Sequence, residues 1–212
     1  MKLTDDLKNN FIDLMKKLSS DDGVKEKLDA ILNNLEKKYN KKFKLISYGD
    51  RYDKFDEEIC ILAHPEEDER VVFKASGNNE NVFKDNYLER KVFTEIEKNV
   101  EKEFQDNNYN SDVKISAVIK RTIEKEETVE EYISKDHFLI AMLVVDNKEA
   151  FEDIENVINR IKNKYKGIRI KVFAYLLDSE NYTRYKKYSN ESQTMSQAMI
   201  RKYMPIQNKV II

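Results

Sequence analysis

The sequence contains one unit three times: an amphipathic helix that ends in a basic and aromatic stretch and is followed by an apolar strand. The unit is clearest in residues 28–48 (LDAILNNLEKKYNKKFKLISY) and 151–175 (FEDIENVINRIKNKYKGIRIKVFAY), and residues 87–119 contain a version with a longer turn. Helices that alternate with strands bury their apolar faces against a sheet. The sequence therefore predicts an α+β or α/β fold, in which helices pack on a mixed β-sheet.

The hydrophobic spacing also predicts the order of the elements. In the first half we expect helices at about 3–18 and 24–39, strands at about 43–48, 58–64 and 70–76, and a long helix capped by Asp85. In the second half we expect a strand at 113–121, a short helix, a strand at 137–146, a helix after Asp146 or Asn147, a strand at 168–177, and a helix near 191–203. The run HFLIAMLVVD at 137–146 is the most apolar and fits a central strand buried on both faces.

A polar run, QDNNYNSD at 105–112, separates the two halves. Such turn-prone segments mark the ends of packed elements. The sequence therefore predicts two similar lobes. Residues 1–106 would form a helical hairpin with a β-hairpin, and residues 107–212 would form a βαβαβα lobe. One continuous domain is the alternative.

The charge pattern narrows the possible partners. Lys and Arg number 38 against 40 Asp and Glu, which gives a net charge of −2 without a basic stripe. This balance argues against a nucleic-acid partner. No run approaches the roughly 18 apolar residues of a membrane span, and the first residues lack the apolar core of a secretion signal. We expect a soluble bacterial protein of the cytoplasm, or of the cell envelope if an export signal has been removed.

Few residues could support metal or nucleotide chemistry. His64 and His137 are far apart in the chain, and Cys60 lies in the apolar run EICILA, where it reads as a small buried residue without a disulfide partner. The four glycines are scattered, so no glycine-rich phosphate loop is present. The sequence predicts no metal and no cofactor.

Tyrosine is the strongest remaining signal. The chain has twelve tyrosines and no tryptophan, with a group of tyrosines between residues 175 and 203. Tyrosine is enriched at binding interfaces, but it also packs half-buried over sheets and helices. A second group is the charged loop GDRYDKFDEE at 49–58. The candidate binding residues are Asp50, Arg51, Tyr52, Tyr182, Tyr185, Tyr188 and Tyr203.

These features favour a non-catalytic protein that binds another protein through tyrosine-rich and acidic loops. Immunity proteins that neutralise a toxin, and accessory proteins of mobile elements, have this profile of mixed charge and few glycines. The alternative is an enzyme whose carboxylate or tyrosine site assembles only in three dimensions. Its candidate residues would be Asp50, Arg51, Asp53, Glu58 and His64.

The chain ends in an apolar segment, Val210-Ile211-Ile212, where termini are normally polar and frayed. Exposed apolar strands tend to pair with an open sheet edge. The sequence predicts that the tail adds to an edge of the same chain or of a neighbour, or packs into a groove, with the preceding tyrosine-rich segment lying against it. A homo-oligomer through the tail is a second partner hypothesis. Deletion of the tail would cost about 2–4 kcal/mol if two or three aliphatic side chains are buried.

Residues 28–104 carry a series of motifs: LEKKYNKKFKLISYGDRY, a hairpin that ends in VVFKAS, and DNYLERKVF. This series resembles small uncharacterised α+β proteins of low-GC Gram-positive bacteria. Those proteins have a helix ending near Lys-Tyr, a Phe-containing strand, an Arg-Tyr loop, a hairpin, and Asp-x-Tyr-Leu opening a helix. Several look exported or lipid-anchored, whereas this chain has no lipobox. The resemblance implies no activity.

Overall fold

A computed structural model of the chain describes residues 22–50, 59–77, 82–117, 123–135, 138–189, 200, 203 and 205–212. The predicted helix at 3–18 lies outside the described residues, as does most of the one predicted near 191–203. Internal contacts divide the chain into two units, Met1–Tyr87 and Leu88–Ile212. The predicted first lobe included the whole long helix, Tyr87–Gln105, whereas all of this helix except Tyr87 belongs to the second unit. That the lobes are separate domains stays a prediction.

The first unit contains helix α1 (Asp22–Tyr39) and a four-stranded antiparallel sheet, sheet A. Its strands follow chain order: β1 (Phe43–Asp50), β2 (Ile59–Pro65), β3 (Phe73–Gly77) and β4 (Val82–Asp85). Helix α1 contacts β1, β2 and β4. It buries Leu28, Ile31 and Leu35, whose spacing places them on one stripe. Alternate residues of β2 are buried, which is the period-two pattern of a strand covered on one face.

The second unit contains a mixed sheet, sheet B, and its described residues include four helices with stated bounds. The helices are α2 (Tyr87–Gln105, whose first residue belongs to the first unit), α3 (Val129–Ile133), α4 (Lys148–Lys164) and α5 (Ser179–Ser189). The strands are β5 (Ser111–Ala117), β6 (Phe138–Val145), β7 (Arg169–Leu176) and β8 (Gln207–Ile211), in that spatial order. Strands β6 and β7 are parallel and joined through α4, and the other two pairs are antiparallel. The α+β class predicted from the sequence is confirmed.

Strand β6 lies between β5 and β7, and its last five residues are all buried. On one face of the sheet, Leu139 and Leu143 belong to a large apolar core that includes residues of α2 and α4. On the other face, Met142 and Val144 pack with tyrosines of α5. The predicted central strand buried on both faces is confirmed. The core of the second unit therefore lies on both sides of β6.

Two elements were missed by the sequence analysis. Strand β4 has only four residues, too few to establish an alternating pattern. Helix α5 lies in the polar, tyrosine-rich stretch. It begins after Asp178, whose carboxylate accepts the backbone N–H of Asn181 at 2.7 Å. This is the contact of a helix N-cap, so Asp178 was a usable start signal.

The tail forms β8 and pairs antiparallel with β7 of the same chain, from Val172 opposite Ile211 to Leu176 opposite Gln207. The prediction that the tail adds to a sheet edge is confirmed. Of its aliphatic side chains, Ile211 packs against the core. The others, Ile206, Val210 and Ile212, are 61%, 51% and 81% exposed. The loss of about 2–4 kcal/mol on deletion of the tail was conditional on two or three buried aliphatic side chains, and that condition is not met.

Candidate functional site

Three of the candidate tyrosines, Tyr182, Tyr185 and Tyr203, lie on the second face of sheet B. Tyr182 and Tyr185 of α5 are buried, and half-buried Tyr203 packs against their cluster. The rings of Tyr185 and Tyr203 meet edge to face at 5.8 Å, and those of Tyr182 and Tyr185 lie 6.2 Å apart. These contacts hold α5 on the sheet. A binding role for these tyrosines stays a prediction.

The other candidate residues are only partly within the described structure. Asp50 is the last residue of β1, and Tyr188 lies in α5. Residues 51–58, which include Arg51, Tyr52, Asp53 and Glu58, lie outside the described residues. His64 is half-buried on β2, with Nδ1 2.9 Å from the carbonyl oxygen of Pro65.

A buried carboxylate, Asp112 of β5, ties α5 to the edge of sheet B. Its side chain is 2% exposed and accepts hydrogen bonds from the Tyr185 hydroxyl and from Lys186 Nζ, the latter at 2.8 Å. Lys114 Nζ lies 3.9 Å away. Burial alone would raise the pKa of Asp112, but the charges of Lys114 and Lys186 and the two hydrogen bonds outweigh it and hold the pKa below its usual value.

The first unit contains a similar arrangement around Asp85. This carboxylate, 3% exposed, accepts hydrogen bonds from the Tyr39 hydroxyl at 2.6 Å, from Lys38 Nζ at 2.7 Å and from the backbone N–H of Tyr87 at 3.1 Å. Burial, followed by the contact with Asp85, raises the pKa of the Tyr39 hydroxyl. The Tyr39 ring also lies against Phe43 and Tyr87, at 6.2 and 4.7 Å.

The Asp85 cluster brings together the motifs that carry the family resemblance: the Lys-Tyr helix end, the Phe-containing strand and the Asp-x-Tyr helix start. Its donors and rings join the end of α1 to Tyr87, the last residue of the first unit. In each unit, then, a buried aspartate is enclosed by a tyrosine hydroxyl and the ammonium of the adjacent lysine. Buried carboxylates whose donors come from the same unit make the elements that they join rigid.

The outer edge of β5 is occupied by side chains of α2. The backbone N–H of Ile115 donates to Glu97 Oε1 at 2.6 Å, and Arg90 Nη1 donates to the Ile115 carbonyl at 2.9 Å. Arg90 Nη2 reaches both carboxylate oxygens of Glu97 at 3.2 Å. Val113 N–H points to Glu101 Oε1 at 3.4 Å. Backbone groups that an edge strand would otherwise present to another strand thus have side-chain partners.

The pKa of the Glu97 carboxyl is raised, because the effect of burial exceeds the opposite effects of its neighbours. The charges of Arg90 and Lys114 and the hydrogen bond from Ile115 lower this pKa. The side chains of Arg90 and Glu97 are only 16% and 3% exposed. The blocked edge therefore contains a buried ion pair, whose members depend on one another for compensation.

The opposite edge of sheet B is open by comparison. Strand β8 pairs with β7 on its inner side, and no strand within the described residues pairs with its outer side. The described residues include four exposed large hydrophobic side chains, and three of them, Ile206, Val210 and Ile212, lie in or beside β8. The fourth, Ile46, lies on β1 where the register shifts between Leu45 and Ser47. Exposed aliphatic residues are therefore concentrated at the β8 edge.

Two absences apply within the described part of the chain. No group of three or more His, Cys, Asp or Glu side chains there is placed to hold a metal ion. Nor does any helix among those residues have the length and apolar character needed to cross a membrane.

Comparison with known proteins shows a similarity of fold to a solved structure. No family model matches the chain, and no curated protein matches it. The fold is similar to that of a DUF5037 family protein from Ruminococcus gnavus, a low-GC Gram-positive bacterium, with a TM-score of 0.66 and 13% sequence identity. The similarity covers 85% of this chain and 89% of that one. At this identity the relationship concerns the fold alone, and it agrees with the α+β class.

Proposed function

We propose that this chain is a non-catalytic protein-interaction protein, and that its edge strand β8 accepts a strand of another polypeptide. The observation that carries the proposal is the contrast between the two edges of sheet B. Side chains of α2 occupy the edge at β5, whereas the edge at β8 has aliphatic residues exposed to solvent. An exposed apolar edge is a ready template for strand addition.

Side chains beside β8 support this mode of binding. Val210 lies opposite Phe173 of β7, a half-buried ring with Lys171 Nζ 5.2 Å from its centre. An added strand would place alternate side chains beside Val210, while its backbone would bond to the outer groups of β8. Backbone bonds supply affinity in this mode, and the apolar contacts supply selectivity.

An interaction role accounts for the chemistry of the polar clusters as well. Asp85 and Asp112 are both enclosed by donors from their own unit. In the second unit, the arrangement at Asp112 supports a rigid sheet B that presents its β8 edge. We include in the proposal the two classes that the sequence favours, an immunity protein that neutralises a toxin and an accessory protein of a mobile element. Both act by binding another macromolecule.

Affinity purification with the tagged full chain tests the proposal. The bait would be compared with Val210→Lys, which puts a charge on the outer edge, and with Ile46→Lys, a matched change at the exposed aliphatic residue of the first unit. Untagged chain would be added to the lysate, and captured proteins would be quantified by mass spectrometry. We expect at least one protein, or the untagged chain itself, to be captured by the wild type and Ile46→Lys baits and lost with Val210→Lys.

Circular dichroism would establish that both variants keep the wild-type fold. Equal capture by all three baits would contradict the proposal, because binding would then not depend on the β8 edge. Capture of nothing by the wild type would contradict it equally.

A further inference from the structure

The outer side of β8 is suited to one particular strand: β8 of a second copy of the same chain. We propose that two copies pair antiparallel through β8 about a two-fold axis centred on Asn208, forming a continuous eight-stranded sheet. This inference rests on the proposed function, because it names the polypeptide that the edge accepts.

The side chains of β8 alternate between two environments. Lys209 and Ile211 face α4: Lys209 Nζ lies 4.8 Å from the Phe151 ring centre and 3.9 Å from Glu155, and Ile211 packs against the core. Successive side chains of a strand point to opposite faces. Asn208 and Val210 therefore lie on the other face, where Ile206, directly before the strand, continues the alternation.

A two-fold axis perpendicular to the sheet keeps each face continuous across the two copies, and it places one residue opposite itself. Centring on Lys209 sets two like charges directly opposite each other, which destabilises a strand pair. Centring on Val210 sets Asn208 opposite Ile212, so that polar and aliphatic side chains are mismatched.

Centring on Asn208 sets Ile206 opposite Val210 of the second copy, and the symmetry repeats this pair. The side chains that are 61% and 51% exposed in one copy thus cover each other. Lys209 then lies opposite Gln207, so no like charges meet. The positions around Asn208 are self-complementary, which is what an interface between identical surfaces requires.

Two further features fit a closed dimer. A net charge of −2 produces little repulsion between copies. The opposite edge of sheet B is occupied by Glu97 and Arg90 of α2, so strand pairing cannot continue there from copy to copy. Assembly through sheet B therefore stops at two chains.

Sedimentation velocity of the full chain measures the stoichiometry. We expect a concentration-dependent species of twice the chain mass of 25.2 kDa. Val210→Lys should weaken it by about tenfold for each of the two symmetric contacts, because each loses an aliphatic pair. Ile46→Lys serves as the control and should leave it unchanged.

Cysteine cross-linking tests the register without depending on stability. In a Cys60→Ala background, Asn208→Cys should form a covalent dimer under mild oxidation, because the two cysteines lie opposite each other. Lys209→Cys, one position along, should cross-link far less.

A monomer at every soluble concentration, or a dimer unaffected by Val210→Lys, would overturn the inference. Stronger cross-linking at position 209 than at 208 would overturn the register. If the chain is monomeric but a different protein is lost from the Val210→Lys bait, the inference fails while the proposed function stands. If the wild type and Val210→Lys baits capture the same proteins in equal amounts, both the inference and the proposed function fail.

Discussion

The two edge strands of sheet B, β5 and β8, have opposite surroundings. At β5, Arg90 and Glu97 of α2 bond to the backbone of Ile115 and to each other, so polar groups are buried with partners. At β8, no strand within the described residues pairs with the outer backbone, and the side chains of Val210 and its aliphatic neighbours are exposed. The first edge is closed at the cost of desolvating charges, and the second leaves apolar surface in water.

This difference shows that a strand can lie at the edge of a sheet without being available for association. Both strands are edges of one sheet. What distinguishes them is whether another element brings charged side chains to the strand. An edge with fixed partners contributes to stability, whereas an edge without them is available for association.

The largest expected effect comes from opening the closed edge. Arg90→Met removes the cation beside Glu97 and leaves a buried carboxylate uncompensated, so we expect the free energy of unfolding to fall by about 3–5 kcal/mol at pH 7. Lys91→Met, which removes an exposed cation paired with Glu126, should change it by less than about 0.5 kcal/mol. Urea denaturation monitored by circular dichroism measures both.

The sign of the pH dependence sharpens this test. A carboxyl whose pKa is raised on folding stabilises the protein at low pH, and that stability is lost as the pH rises from the unfolded value, 4.5, through the folded one. Removing Arg90 raises the pKa of Glu97 further, so the deficit of Arg90→Met should shrink at pH 5. Adding Glu97→Gln should recover part of the lost stability at pH 7. A double variant no more stable than Arg90→Met would show that the buried charge is not the cause.

A smaller loss of stability is expected when the hydrogen bonds that join β5 to α5 are weakened. Asp112→Asn weakens the charged hydrogen bonds from Tyr185 and Lys186, which should cost about 1.5–3 kcal/mol at pH 7. Because the pKa of Asp112 is lowered on folding, its contribution is present above the unfolded value of 3.8 and is lost as the pH falls through the folded value. The difference between wild type and variant should therefore stay constant at neutral pH and narrow below 3.8. An unchanged difference at pH 3 would contradict the assignment.

The smallest effect distinguishes the two faces of β8. Ile211→Ala removes a side chain packed on the core and should cost about 1 kcal/mol, since the residue is only half-buried. Val210→Ala should cost less than about 0.5 kcal/mol at a protein concentration that keeps the chain monomeric. Equal losses in thermal or urea unfolding would mean that the outer face of β8 is also covered within one copy.

Most elements of the fold could be predicted because their signal is local. The stripe of Leu28, Ile31 and Leu35 identifies α1, and the apolar run at 137–146 identifies β6, since apolar spacing repeats within each segment. Strand β4 is too short for such a repeat. Helix α5 lacks a strong apolar stripe, and its capping residue Asp178 was the signal that could have found it.

The closed edge was harder to foresee. Glu89, Glu97 and Glu101 are eight and four residues apart, which places them in one row beside the apolar stripe of α2, and all three are buried. In the sequence this row reads as a solvated face, because nothing local records that β5 will lie beside it. The tyrosine group is a second case: Tyr182 and Tyr185 were candidate binding residues, and the structure places both in a buried cluster on sheet B, while their binding role stays a prediction.

The register of β8 on β7 has a consequence for the order in which the molecule forms. Glu97 and Ile115 are close in the chain, whereas β6 with β7 and β7 with β8 both pair residues that are 31 or more positions apart. Residues 207–211 also follow the other strands in the chain, so during synthesis β7 must wait for them. Contacts that close longer loops form later. Strand β7 is thus a temporary border of the growing sheet until β8 docks. Local stability should decline from β6 towards β8, and opening of the second unit begins at the strand that arrived last.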